Sequence, residues 1–157
     1  MDFSNFFHYQ AEFNEKLALD KSLDEYKITA RKYLELHIKI GDLANSTNCF
    51  KYLINIENTL CVTTVLEKYI DCLSKIISIG ISNNYFIANI KITPNDYCLS
   101  DQFLNLYIDL NDLIISSSKD HFNTLLEDFL SLGITLGFSR NEIEKHFIKK
   151  TSLKLAL

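Results

Sequence analysis

Apolar residues recur at steps of three and four along almost the whole chain, a periodicity that predicts amphipathic helices packed as a bundle. Phe6, Phe7, Gln10, Phe13 and Leu17 share one stripe and predict a first helix over residues 4–19. Ser22 with Glu25 three residues on reads as a capping box for a second helix. That helix carries Tyr26, Ala30, Tyr33, Leu34, Leu36, Ile40 and Leu43 and stops near Asn45 and Ser46. A third is expected over 56–79, ended by Gly80. Thr93 before Pro94 reads as a cap and a first-turn proline, opening a helix that reaches residue 117. Another covers 120–136, and Ser139 with Glu142 caps the last, which carries Ile143, Phe147 and Ile148. Between 82 and 93 the pattern breaks: Tyr85, Phe86, Ile87, Ile90 and Ile92 suit a short irregular or β segment near 85–92. The expectation is an all-α bundle of about six helices forming one domain, 1–157.

Composition agrees. Hydrophobic residues make up 47% of the chain, with only 4 Gly and 1 Pro, as in an ordered, helix-rich protein. A net charge of −4 offers no basic field for direct nucleic-acid binding. No apolar run approaches the roughly 20 residues of a membrane span. Met1-Asp2-Phe3-Ser4-Asn5 lacks the basic start of a secretory signal, so a cytoplasmic location is expected. Cys49, Cys61, Cys72 and Cys98 form no Cys-x-x-Cys pair and sit among apolar neighbours, which predicts buried free thiols. His8, His37, His121 and His146 show no ligand spacing and are expected on exposed helix faces. The stripe Phe103, Leu106, Leu110, Leu113 and Ile114 is expected in the core or a dimer seam.

Two segments carry candidate chemistry. The first runs Ile38-Lys39-Ile40-Gly41-Asp42-Leu43-Ala44-Asn45, then Cys49-Phe50-Lys51-Tyr52; the second is Leu66-Glu67-Lys68-Tyr69-Ile70-Asp71-Cys72-Leu73. With Gln10 and Asn14 before them, and Leu132-Gly133, Leu136-Gly137-Phe138-Ser139 and Lys149-Lys150 after, they resemble the dimeric all-α dUTPases, over roughly residues 6–150. These belong to the all-α nucleoside triphosphate pyrophosphatases. The resemblance implies a helical homodimer whose four carboxylates, paired three apart in each segment, hold Mg²⁺ against substrate phosphates. It also places Gln10, Asn14, Asn45 and Lys51 at nucleotide-binding positions for a deoxyuridine nucleotide. Phage members of the group can also act by binding a repressor, which implies a regulatory protein partner.

The departures fall on the chemistry. Lys39 and Lys68 stand at glutamate positions, while Asp42 and Asp71 remain. Ser46 replaces a third acidic residue, Asn48 an arginine and Leu53 a tryptophan. After Lys150, where the family carries a polar tail, the sequence reads Thr151-Ser152-Leu153-Lys154-Leu155-Ala156-Leu157. Replacing two carboxylates by ammonium groups takes the four positions from about −4 to about 0 and sets two repelling charges against an incoming cation. Internal salt bridges are expected in place of metal: within each helix, or crossed as Lys39–Asp71 and Lys68–Asp42. Solvated surface lysines are the plainer alternative. Glu35 with Asp42, and Glu67 with Asp71, could instead rebuild a shifted metal site. The expected function is a homologue that has lost Mg²⁺-dependent hydrolysis, needs no cofactor and serves a regulatory or protein-interaction role. The alternatives are an active, divergent enzyme releasing dUMP and pyrophosphate with Mg²⁺, and a nucleotide sensor without turnover.

Overall fold

The computed structural model describes residues 1–54 and 60–153. Its helices are α1 (Ser4–Glu15), α2 (Glu25–Thr47), α3 (Val62–Ser82), α4 (Leu99–Ile115), α5 (Lys119–Thr135) and α6 (Arg140–Leu153). α3 is apolar around most of its circumference and accordingly lies at the centre, packed against α1, α2, α5 and α6. α4 and α5 form a hairpin that leans on α2 and α3.

Aromatic rings fill the space between α3 and its neighbours. Tyr69 is fully buried, stacks on Phe129 with centroids 4.5 Å apart, and donates its hydroxyl to the Phe129 carbonyl at 3.2 Å. Phe6 lies between Phe3 and Phe147, at 4.6 and 4.9 Å, and so ties α1 to α6. Each such ring removes roughly 150–250 Å² from water, which makes these contacts the main local source of stability. Phe103, Leu106, Leu110 and Leu113 of α4 are buried in the same cluster, whereas Ile114 is partly exposed.

Several boundaries differ from the sequence expectation, each for a local reason. α1 ends at Glu15, not 19; Lys16 and Leu17 turn back onto the Phe13 and Asn14 carbonyls, and Leu17 is exposed. The Ser22/Glu25 box does not form, because Asp20 takes both the Ser22 amide and hydroxyl, and Asp24 caps α2 by accepting from the Lys27 amide. α2 stops at Thr47 because Asn48 adopts the left-handed conformation. The expected start of the third helix, at 56–59, lies outside the described residues.

Gly80 does not end α3. It sits inside the helix where Phe122 of α5 presses so close that an added Cβ would lie 2.4 Å from the ring. Pro94 does not open α4 either. Asn95 accepts from the Tyr97 amide, and Ser131 holds the Thr93 carbonyl, so 93–97 stay a loop and α4 begins after Cys98. Near 85–92 the chain is irregular and makes a single bridge, Asp2 to Asn89. α5 does end near the expected place: Gly137, at φ +84°, closes a Schellman turn in which the Phe138 amide bonds the Gly133 carbonyl at 3.0 Å. The Ser139/Glu142 box forms as expected.

Cys72 alone of the four thiols is fully buried; Cys61 and Cys98 lie exposed at the starts of α3 and α4, and Cys49 is half-buried. His8 is exposed, but His37, His121 and His146 are half-buried, with His37 stacked near Tyr107 and bonded to the Tyr33 carbonyl. No helix among the described residues is long and apolar enough to cross a membrane.

Candidate functional site

The polar edges of α2 and α3 interlock in one antiparallel register. Lys32 donates to the Ser82 hydroxyl at 2.8 Å, Glu35 pairs with Lys75 at 2.8 Å, and Lys39 pairs with Asp71 at 3.2 Å. Each rung follows the last by three to seven residues in both helices, which keeps the contacts along one face. Asp42 and Lys68 come next, each three positions on from the Lys39–Asp71 rung. That rung is open: neither side chain makes an ion pair with a described residue. Asp42 faces solvent, whereas half-buried Lys68 lines a cavity between α3 and α6.

α6 adds a second cation. Lys150 also pairs with Asp71, so this carboxylate is held between two ammonium groups from different helices. All three side chains are only partly exposed. A single pair at such exposure contributes about 0–1 kcal/mol. The larger effect is negative: without Asp71, two cations would be left facing each other.

Cys72 lies directly behind the ladder, within the fields of Lys39, Asp42 and Lys68. Burial, more than those charges, pushes its thiol far above the ordinary range. It remains a neutral apolar filler.

The structure thus brings Lys39 and Asp71 together and leaves Asp42 and Lys68 on an open rung. The intrahelical pairs Lys39/Asp42 and Lys68/Asp71 do not form, nor does the crossed pair Lys68–Asp42. Of the shifted carboxylates, Glu35 is occupied by Lys75, and Glu67 is exposed on the cavity wall. Gln10 and Asn14 are spent on packing. Gln10 is 2% exposed, accepts from Ser74 at 2.7 Å and donates to Asn14 at 2.9 Å, while Asn14 donates to Ser78 at 3.1 Å. This polar seam docks α1 on α3. Asn45 is exposed on the last turn of α2, and its carbonyl accepts from the Asn48 amide; Lys51 follows half-buried beyond the helix end.

A magnesium ion asks for oxygen ligands in octahedral geometry. These residues do not suit one: two carboxylates stand at the four positions, and one of them is clamped by two lysines. No group of three metal-binding side chains gathers among the described residues.

Sequence reasoning did not find Lys150 as a partner of Asp71, or Lys75 as the partner of Glu35. The second was legible in part, since Glu35/Lys39 and Asp71/Lys75 repeat opposite charges at four-residue spacing on two consecutive helices. The first carried no local signal.

No curated protein and no solved structure matches the chain significantly. A family model described as dUTPase matches residues 2–155, nearly the full length of this six-helix chain. The chain belongs to the dUTPase family.

Proposed function

We propose that this chain is a dUTPase-family protein that no longer carries out Mg²⁺-dependent dUTP hydrolysis and serves instead as a regulatory, protein-binding homologue. One observation carries the reading: Asp71, at a metal-ligand position, is neutralised from both sides by Lys39 and Lys150. Hydrolysis between phosphates needs a divalent ion to neutralise charge and activate water. Here protein cations fill the space beside Asp71, one of the two remaining carboxylates, and Gln10 and Asn14, at the base-contacting positions, are engaged in the α1–α3 seam.

The protein-binding half of the reading is supported by the surface around the connection from α2 to α3. Phe50, Tyr52, Leu53, Ile54, Leu60 and Val62 are all exposed there, a concentration of apolar side chains that suits docking better than solvent. Assembly as a homodimer, in the cytoplasm, completes the proposal.

The test is an assay of purified protein with dUTP and either Mg²⁺ or Mn²⁺. No release of dUMP or pyrophosphate above background is expected. Release that disappears in Asp71→Asn would establish the active-enzyme reading instead.

A further inference from the structure

α4 is apolar on two faces, and the bundle covers one of them. Phe103, Leu106, Leu110 and Leu113 are buried, whereas Leu104, Ile108 and Ile115 stand 63%, 57% and 83% exposed. The helix as a whole is as apolar as α3, which lies at the centre of the bundle. A helix with so little polar surface is normally buried all round, so this outer face calls for a cover.

The spacing along that face says what kind of cover. Leu104, Ile108, Asn111 and Ile115 follow one another at steps of four, three and four, the repeat of a coiled-coil seam, with Ile at a and Leu at d. That choice of side chains favours a pair of helices over larger assemblies. Asn111 lies in the middle of the stripe and is exposed. Under a foreign apolar helix its amide would be buried without a partner. Under the same stripe of a second copy, a two-fold axis can set the two Asn111 amides against each other, the device by which one polar seam residue fixes register.

The face is also wide enough. α2 meets α4 where Tyr107 donates to the His37 carbonyl at 3.3 Å, and Leu34 and Ile38, which flank His37, are more than half exposed. Two helices side by side are about 20–24 Å across, and the 17 residues of α4 extend about 25 Å. The accessible surface of such a face exceeds its flat projection and approaches the ~800 Å² that each partner buries in a standard interface.

We propose that the outer face of α4, widened by α2, is the seam on which a second copy of this chain packs through the same stripe. The inference rests on the homodimer of the proposed function and assigns its surface, leaving the apolar connection from α2 to α3 for a different partner.

The experiment is sedimentation velocity of the full chain over a range of concentrations, with circular dichroism as the check on folding. The wild type is expected as a dimer. Leu104→Lys and Ile108→Lys should each raise the dissociation constant about thirtyfold or more, the size of an interface hot spot. Their helical signal should be unchanged, because both side chains face solvent within one copy. Asn111→Leu should act the other way, tightening assembly about tenfold or admitting larger oligomers, since a polar seam residue trades stability for a fixed register. That variant keeps the test open should a lysine disturb folding. A dimer indifferent to all three variants, or one dissociated by Phe50→Ser and not by them, overturns this seam and leaves the homodimer standing. A wild type that stays monomeric up to about 100 μM overturns both. Loss of hydrolysis is judged separately by the dUTP assay.

Discussion

Lys39 Nζ on α2 lies 3.2 Å from Asp71 Oδ2 on α3, and the other oxygen of the same carboxylate is taken by Lys150 of α6. Three helices therefore meet at one charge. Asp71→Asn is expected to destabilise the fold by about 1–2 kcal/mol: like charges about 4 Å apart repel by ~4 kcal/mol at an effective dielectric near 20, and partial exposure screens most of that. Adding Lys39→Met should recover part of the loss. Urea denaturation of the double-mutant cycle measures it, and additivity of the two changes would show that the pair is uncoupled.

Restoring the acidic positions gives the complementary experiment. Lys39→Glu with Lys68→Glu removes two ammonium groups and adds two carboxylates next to Asp42 and Asp71. Mg²⁺ affinity, followed by calorimetry, should rise by about tenfold or more, and thermal stability without metal should fall as four carboxylates crowd together. Unchanged Mg²⁺ affinity would remove the claim that the lysines occupy a former ligand site.

Gln10 separates a packing role from a nucleotide contact. Gln10→Ala leaves the buried Ser74 hydroxyl without its acceptor, takes one donor from the Asn14 side-chain oxygen, and should cost about 1–3 kcal/mol of stability in the absence of any ligand. A variant as stable as the parent in chemical denaturation would contradict that role.

Gly80 carries a steric prediction. In Gly80→Ala the new methyl meets the Phe122 ring at 2.4 Å, so the intrinsic helix preference for alanine is outweighed and a net loss of about 1–3 kcal/mol is expected. Phe122→Leu should relieve the clash and shrink the penalty for alanine. A higher melting temperature in the single variant would refute the close approach.

Asp109 of α4 governs a pH dependence. Burial, then a hydrogen bond to the Asp128 carboxyl and its charge, pushes the Asp109 carboxyl up to about 7 from an ordinary value of 3.8. Its Oδ2 is buried with no partner among the described residues. Because the folded value lies above the unfolded one, this stabilising contribution is full below about pH 4 and is lost as pH rises through about 7. Between about pH 4 and about pH 7 the protein should lose stability, and Asp109→Asn should flatten the decline. Equal slopes in the two proteins would exclude Asp109 as its source.

Periodicity alone determined much of this molecule. The three- and four-residue steps of Phe6, Phe7 and Phe13, of Leu36, Ile40 and Leu43, and of Leu106, Leu110 and Leu113 specify helices with one buried face, and all these residues are in the core. The Ser139/Glu142 cap was equally legible, being a contact across three residues. The lysines at positions 39 and 68 could be read as a change in charge from the sequence itself. The tertiary structure decided what that charge does. Which side chain meets Asp71 depends on the register of α2 against α3 and on where α6 crosses them, and hydrophobic spacing holds no information about either. Gly80 looked like a helix end because a glycine that terminates a helix and a glycine that admits a neighbouring ring are the same residue in one dimension. Only the approach of Phe122 distinguishes them. Local backbone preferences act over a few residues and are written in order along the chain. Ion pairs, close ring contacts and cavities join residues far apart in sequence, and they exist only once the apolar faces have packed.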